Sequence, residues 1–439
     1  MKARLIPVYF DPGRDSDFDR QTEVLGRLLG DRAEMLAPAA LGTRLPEADA
    51  VVFPQLLGEA YRRLGDFRKL GLPILIITSE FGTLSMWDWE IIDYLRSEGV
   101  QAIAPYTLAQ ARNVCSALAA KRELKDTKFL VFQDNPGRGA QANIFKRFYW
   151  WEDECTQRMA RKFGVTIVRD SFKDLAAQAK DIPDAQAQAA WKDWNLATEG
   201  LTDRSIASAI KLYLAVRRRL DEDSRIRAVG INCLNESHFC DSTPCLAWAM
   251  LFEQRGVVWG CEADTLSMLT QYVLGKSLGA PLMLTNLYPF LLGQAALRHE
   301  RIEKFPDVPD DSANYVLVAH CGYVGLMPPS FATSWTLRPK VLAIVDANAV
   351  AIDALFPTGD VTLAKLHARL DRMTVATGQL TGYVEYPGSD CRRGGVIRLG
   401  DGHRLMSSLA SHHYVLVSGR HRADIENLGK VFDLEIQPI

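Results

Sequence analysis

Short apolar runs, each leading into a stretch with helical periodicity, recur through the first three quarters of the chain. This alternation constrains the fold more than any other feature. RLIPVYF, ADAVVFPQL, LPILIIT and VQAIAPYT form a first series. TKFLVFQ, VTIVRDS, RAVGINCL, GVVWGCE, PLMLTNLY and YVLVAHCG form a second. Runs this short and this apolar suit strands buried on both faces, and strands separated by helices pair in parallel. The pattern predicts an α/β chain with two Rossmann-like, doubly wound domains, over 1–126 and 127–329. Beyond residue 330 the texture changes. KVLAIVDA, MTVATGQLTGYVEYPG, GGVIRLG and HHYVLVSG are strand-like runs joined by turns. They predict a β-rich, largely antiparallel C-terminal domain over 330–439.

A chain of 439 residues is long enough to bury more than one core. A net charge of −2 gives no reason to expect nucleic acid or an anionic membrane as partner. No apolar run approaches the roughly 18 residues of a membrane span, and the first residues lack the apolar segment of a signal peptide. Eight cysteines without a repeating spacing read as reduced thiols, so the expected location is cytoplasmic.

The most telling stretch is VVWGCEADTLSMLTQYVLGK. Ligands of open α/β sheets bind beyond the carboxyl ends of the strands. Glu262 and Asp264 follow GVVWGC, Asn286 follows PLMLT, and His320 follows YVLVA. If these strand ends converge, they make an oxygen-rich site with one nitrogen, a chemistry suited to Mn²⁺ or Mg²⁺. Each residue also has a plainer reading. Glu262 would cap the next helix, Asn286 would serve a turn, and His320 would be a hydrogen-bonded core histidine.

The stretch CLAWAMLFEQRGVVWGCEADTLSMLTQYVLGK, then PLMLTNLYPF, VLVAHCG and SHHYVLVSG, resembles the L-fucose/L-arabinose isomerase family over roughly 230–420. The resemblance implies a ketol isomerase that interconverts an aldose and a ketose with a divalent cation, Mn²⁺ or Mg²⁺. It implies Glu262 as metal ligand and acid/base. Asn286 stands where fucose isomerases carry a second carboxylate, and His320 and His413 complete the implied ligand set. His412 would then face the opposite side of its strand. The resemblance also implies a homo-oligomer, trimer or hexamer, acting on a small sugar-like substrate.

Weaker signals surround this core. The loop after RAVGIN would carry Glu236 and Asp241 towards the cleft, and Asp264 would help bind substrate. Cys233, His238, Cys240 and Cys245 lack the spacing of a zinc finger. Arg138, in the PGRG turn, would meet an anionic group. Trp87 and Trp89 would form an aromatic lid over a sugar ring. The implied reaction needs a base at carbon and polarisation at oxygen. The missing carboxylate at 286 leaves a lyase or epimerase on the same scaffold as one alternative. A non-catalytic sugar-binding protein is another.

Overall fold

The structure, a computed structural model, describes all residues except 12, 79–85, 135–146, 148–151, 234–238, 290–306, 321–322, 340–345 and 387–392. The chain forms two compact units. The first holds Met1–Lys125, Lys276–Gly279 and Ala423–Ile436; the second holds Asp126–Gly275, Ala280–Arg422 and Gln437–Ile439.

In the first unit, β1 (Ala3–Tyr9), β2 (Ala33–Met35), β4 (Ala50–Phe53), β5 (Ile74–Ile76) and β6 (Ala102–Ile103) form a parallel sheet in the order β2-β1-β4-β5-β6. The short β3 (Ala39–Ala40) pairs with β1. Ile6, Val51, Phe53 and Ile76 share one core, which explains the unbroken apolar runs. The helix Ser16–Leu28 starts where Asp15 accepts from the Phe18 amide, and Leu108–Leu124 starts where Thr107 accepts from that of Gln110. The segment 57–70 forms a 3₁₀ turn at Ala60–Arg63 and a short helix at Leu64–Phe67 rather than one continuous helix. Gly58 precedes the 3₁₀ turn, and Gly65, a weak helix former, lies inside the four-residue helix.

The second unit has its own parallel sheet, in the order β10 (Val258–Cys261), β9 (Ile226–Ile231), β7 (Lys128–Phe132), β8 (Thr166–Asp170). The parallel series stops there. The runs PLMLTNLY and YVLVA, expected as further parallel strands, are β11 (Leu282–Pro289) and β12 (Tyr315–Ala319), and they pair antiparallel with each other. They join β15 (Gly359–Leu366), β16 (Arg372–Glu385), β17 (Arg393–Leu399) and β18 (His413–Ser418) in the order β15-β18-β11-β12-β17-β16. β16 pairs back onto β15, which gives the sheet a barrel-like form. A strand buried on both faces looks the same in sequence in either kind of sheet, which is why the apolar runs were misleading. The antiparallel character expected after residue 330 holds for β15–β18. β13 (Ser334–Pro339) and β14 (Val350–Leu355) form a separate antiparallel pair. KVLAIVDA falls mostly outside the described residues. Among the described residues no helix is long and apolar enough to cross a membrane.

One packing detail sets the position of the site. Gly230 of β9 and Gly260 of β10 are paired in register. A Cβ on Gly260 would lie 2.5 Å from Met268 Sδ and 2.6 Å from Met268 Cγ, and one on Gly230 would lie 3.1 Å from the Ala263 Cα. The two glycines form a notch that lets the helix Thr265–Leu278 sit directly on the end of the sheet. Met268 is fully buried, so it has little room to yield. Gly260→Ala is expected to cost about 1–3 kcal/mol by overpacking. Met268→Ala in the same chain should recover part of that in chemical denaturation, because the two changes share one contact.

Candidate metal centre

The chain turns from β10 into the helix Thr265–Leu278 through two consecutive residues in the left-handed region, Glu262 at φ 56° and Ala263 at φ 55°. Neither is glycine, so the turn is strained, and strain of this kind persists where the surroundings over-determine it. It places Glu262 and Asp264 around the same imidazole. His413 Nδ1 lies 2.9 Å from Asp264 Oδ2, and His413 Nε2 lies 3.8 Å from Glu262 Oε1.

Asp264, not Glu262, caps the helix. Its Oδ1 accepts from the Ser267 amide at 2.8 Å. Its Oδ2 accepts from Ser267 Oγ at 2.6 Å and from Lys365 Nζ at 3.1 Å. Asp264 and Lys365 are both fully buried. Burial pushes the Asp264 carboxyl up, but Lys365, His413 and Ser267 outweigh it and hold it well below the usual carboxylate range. Burial pulls the Lys365 ammonium down, and Asp264 opposes that. An ionised Asp264 only accepts, so His413 Nδ1 must donate to it, which leaves Nε2 as the ring nitrogen on the side of Glu262. Asp264 was expected to touch substrate. Both its oxygens are instead engaged inside the protein, behind His413.

The sheet register brings the other candidates to one level of the barrel. Asn286 stands opposite His413 on β18 and opposite Ala319 on β12, and His320 follows Ala319. Directly opposed residues share a face. Asn286 Nδ2 donates to Tyr288 Oη at 3.4 Å, and its buried Oδ1 has no partner among the described residues. The His320 and His413 rings stack with centroids 5.6 Å apart.

Two groups of donor atoms each lie within 4.8 Å of one another: Cys261, Glu262 and His320, and Glu262, His412 and His413. These buried or half-buried residues could hold a metal ion, whose identity the donors alone do not fix. Sequence reasoning missed three participants. His412 was assigned to the opposite face by strand alternation, but β18 begins only at His413. His412 sits on the bend before it, and its ring lies 4.3 Å from that of His413. Cys261 was noticed but not assigned a role. Lys365 was overlooked, although a lysine inside the buried run VTLAKL was a usable signal.

Burial first, and then the neighbouring His413, push His412 down to about 3. At neutral pH it therefore offers a lone pair to a cation. The same shift predicts acid sensitivity. A histidine whose folded pKa lies below its unfolded value of about 6.5 contributes stability above that pH and loses it as pH falls towards 3. The metal-free protein should lose on the order of 3–4 kcal/mol across this range. His412→Asn should flatten the slope between about pH 6.5 and 4, read from denaturant midpoints against pH.

Trp87 and Trp89 lie on the helix Met86–Ser97 of the first unit, 60% and 37% exposed. Asp241 pairs with Lys180 at 3.3 Å. The helix Cys245–Arg255 has no side-chain cap, although Ser242 and Thr243 precede it; Thr243 Oγ1 donates instead to the Val350 carbonyl. Arg138 and Glu236 lie outside the described residues. No model of a known protein family matches the chain, and no curated protein is significantly similar to it, so the site stands on its geometry.

Proposed function

We propose that this protein is a metal-dependent ketol isomerase acting on a sugar or sugar derivative, with Glu262 as the base that moves the carbon-bound proton. One observation carries the reading. A buried carboxylate is held in a strained turn, beside an imidazole whose tautomer is fixed by a second, fully engaged carboxylate. Both parallel sheets are read as Rossmann-like, and the one in the second unit as the support for that turn.

The donors fit a divalent cation. Glu262, His412 and His413 would hold it, and Asn286 Oδ1, on the residue opposite His413 and without a partner among the described residues, would add an oxygen. Two imidazoles with a carboxylate suit Mn²⁺, Fe²⁺, Co²⁺ or Zn²⁺ better than Mg²⁺, so Mn²⁺ remains the proposal. The cation, when bound, supplies polarisation of the substrate's carbonyl and hydroxyl oxygens.

The chain's own residues do the rest. Glu262 takes the proton from the hydroxyl-bearing carbon and returns it to the neighbouring carbon, so the substrate passes through an enediol. Asp264 keeps His413 oriented, and Lys365 and Ser267 keep Asp264 ionised. Asn286 cannot exchange a proton at neutral pH, so one carboxylate must serve both carbons. That same feature favours the second reading, a lyase, in which a single base acts on one carbon, or an epimerase, in which a second group returns the proton from the opposite face. The exposed Trp87 and Trp89 suit a lid over the site of a neighbouring copy in a trimer or hexamer.

Incubation with candidate aldoses and ketoses in deuterated water tests the proposal. Aldose–ketose conversion that chelation stops, with deuterium entering at one carbon, supports the isomerase. Deuterium exchange without interconversion favours the epimerase or lyase. Bound sugar with neither metal nor exchange would indicate a binding protein and refute both.

A further inference from the structure

Glu262 is common to both donor groups, and the two groups differ in chemistry. One adds His412 and His413 to it; the other adds Cys261 and His320. Cys261 and His320 also line a cavity of about 10 Å³, walled by Cys245, Gly325, Leu326 and Ile352. A space of this size holds about one water-sized particle. Beyond it, Cys233 follows the end of β9, and its Sγ lies 3.6 Å from Cys261 Sγ. Two thiolates bound at about 2.3 Å to one tetrahedral ion stand about 3.8 Å apart, so the two thiols are spaced for a shared cation, but Cys233 lies outside the donor atoms that meet within 4.8 Å of one another and would have to turn to join them. Cys233, Cys245, Cys261 and His320 are all buried.

We propose that the centre takes two cations bridged by one oxygen of the Glu262 carboxylate, which leaves the other oxygen to act as the base. The first is the ion of the preceding section, on His412 and His413. The second is a thiophilic cation on Cys261 and His320, with Cys233 as the further thiolate. This inference rests on the metal-centre reading and extends it. Each cysteine releases its thiol proton to solvent as the second cation binds, and the cation's charge replaces it. The two positions select differently: thiolate and imidazole favour a zinc-like ion, whereas two imidazoles and a carboxylate accept manganese. A pair of ions bridged in this way suits a substrate with two adjacent oxygens, one for each cation.

Cobalt titration of the full-length, reduced, chelator-stripped chain tests this. Bound metal is counted after gel filtration, and absorption reports thiolate ligation. Two cobalt ions per chain are expected, one of them with a thiolate-to-cobalt charge-transfer band. Cys261→Ser should remove that band and one equivalent. Cys233→Ser, which checks the assignment should Cys261→Ser fold poorly, should weaken the band. His412→Ala should remove the other equivalent and keep the band. A single equivalent without the band overturns the second site and leaves the first standing. A single equivalent whose band is lost in both Cys261→Ser and His412→Ala also overturns it, because one ion then uses both groups. No cobalt bound at all overturns the metal centre itself.

Discussion

Glu262→Gln is expected to lower turnover by about 10²–10⁴-fold, the usual contribution of a positioned acid/base group. The change keeps shape and backbone conformation, so folding should be little affected. Glu262→Gly gives the sharper contrast. It removes the carboxylate equally, but it also relieves a side chain held at φ 56°. Left-handed backbone costs a non-glycine residue roughly 1–2 kcal/mol. Glu262→Gly should therefore be inactive yet at least as stable as the parent. A residue that costs stability where it stands, and whose loss removes activity, is being kept for its chemistry. Turnover and denaturant midpoints of the two variants decide the matter. Activity retained in Glu262→Gln removes the proposed base.

Lys365→Met is expected to destabilise the protein by about 3–5 kcal/mol, because it strands the ionised Asp264 without its partner in a fully buried position. Lys365→Met with Asp264→Asn should be less damaged than Lys365→Met alone, since the uncompensated charge is then gone. The pH dependence has a definite sign. The folded pKa of Asp264 lies below its unfolded value of about 3.9, so the parent keeps this contribution above that pH and loses it in stronger acid. In Lys365→Met the carboxyl rises, and the loss begins at higher pH. A cost under about 1 kcal/mol would mean that Lys365 does not hold the charge as the geometry indicates.

Much of this arrangement could be read from the chain, and the failures have physical causes. Helix starts carry local signals that the sequence reading did not use: Thr107, Ser171 and Thr202 each accept from a backbone amide three residues on. The turn at Glu262 stood out because carboxylates there break an apolar run. Its left-handed conformation could not be read, since Glu262 and Ala263 are not glycine and nothing local marks them for positive φ; the close approach at Gly230, on the neighbouring strand, is equally invisible in GCEAD. The role of Asp264 was hidden for a similar reason. Lys365 and His413 reach it across 101 and 149 positions of sequence, and no periodicity records such a meeting. β11 and β12 were placed in the wrong sheet because burial on both faces erases the alternation that marks antiparallel strands. Even so, Glu262 and His320 stand out at strand ends and His413 is implied by the family resemblance, and their donor atoms fall in the two groups that share Glu262.

The claim at the centre of this account is that a cation sits between Glu262 and the two histidines. Anomalous diffraction from crystals grown with Mn²⁺, recorded where manganese scatters strongly, tests it most directly. The account predicts a peak about 2.0–2.2 Å from a Glu262 carboxylate oxygen and from His413 Nε2, with His413 Nδ1 still bonded to Asp264. Manganese bound elsewhere, or none at saturating concentration with Glu262 and His413 in their described positions, would contradict it.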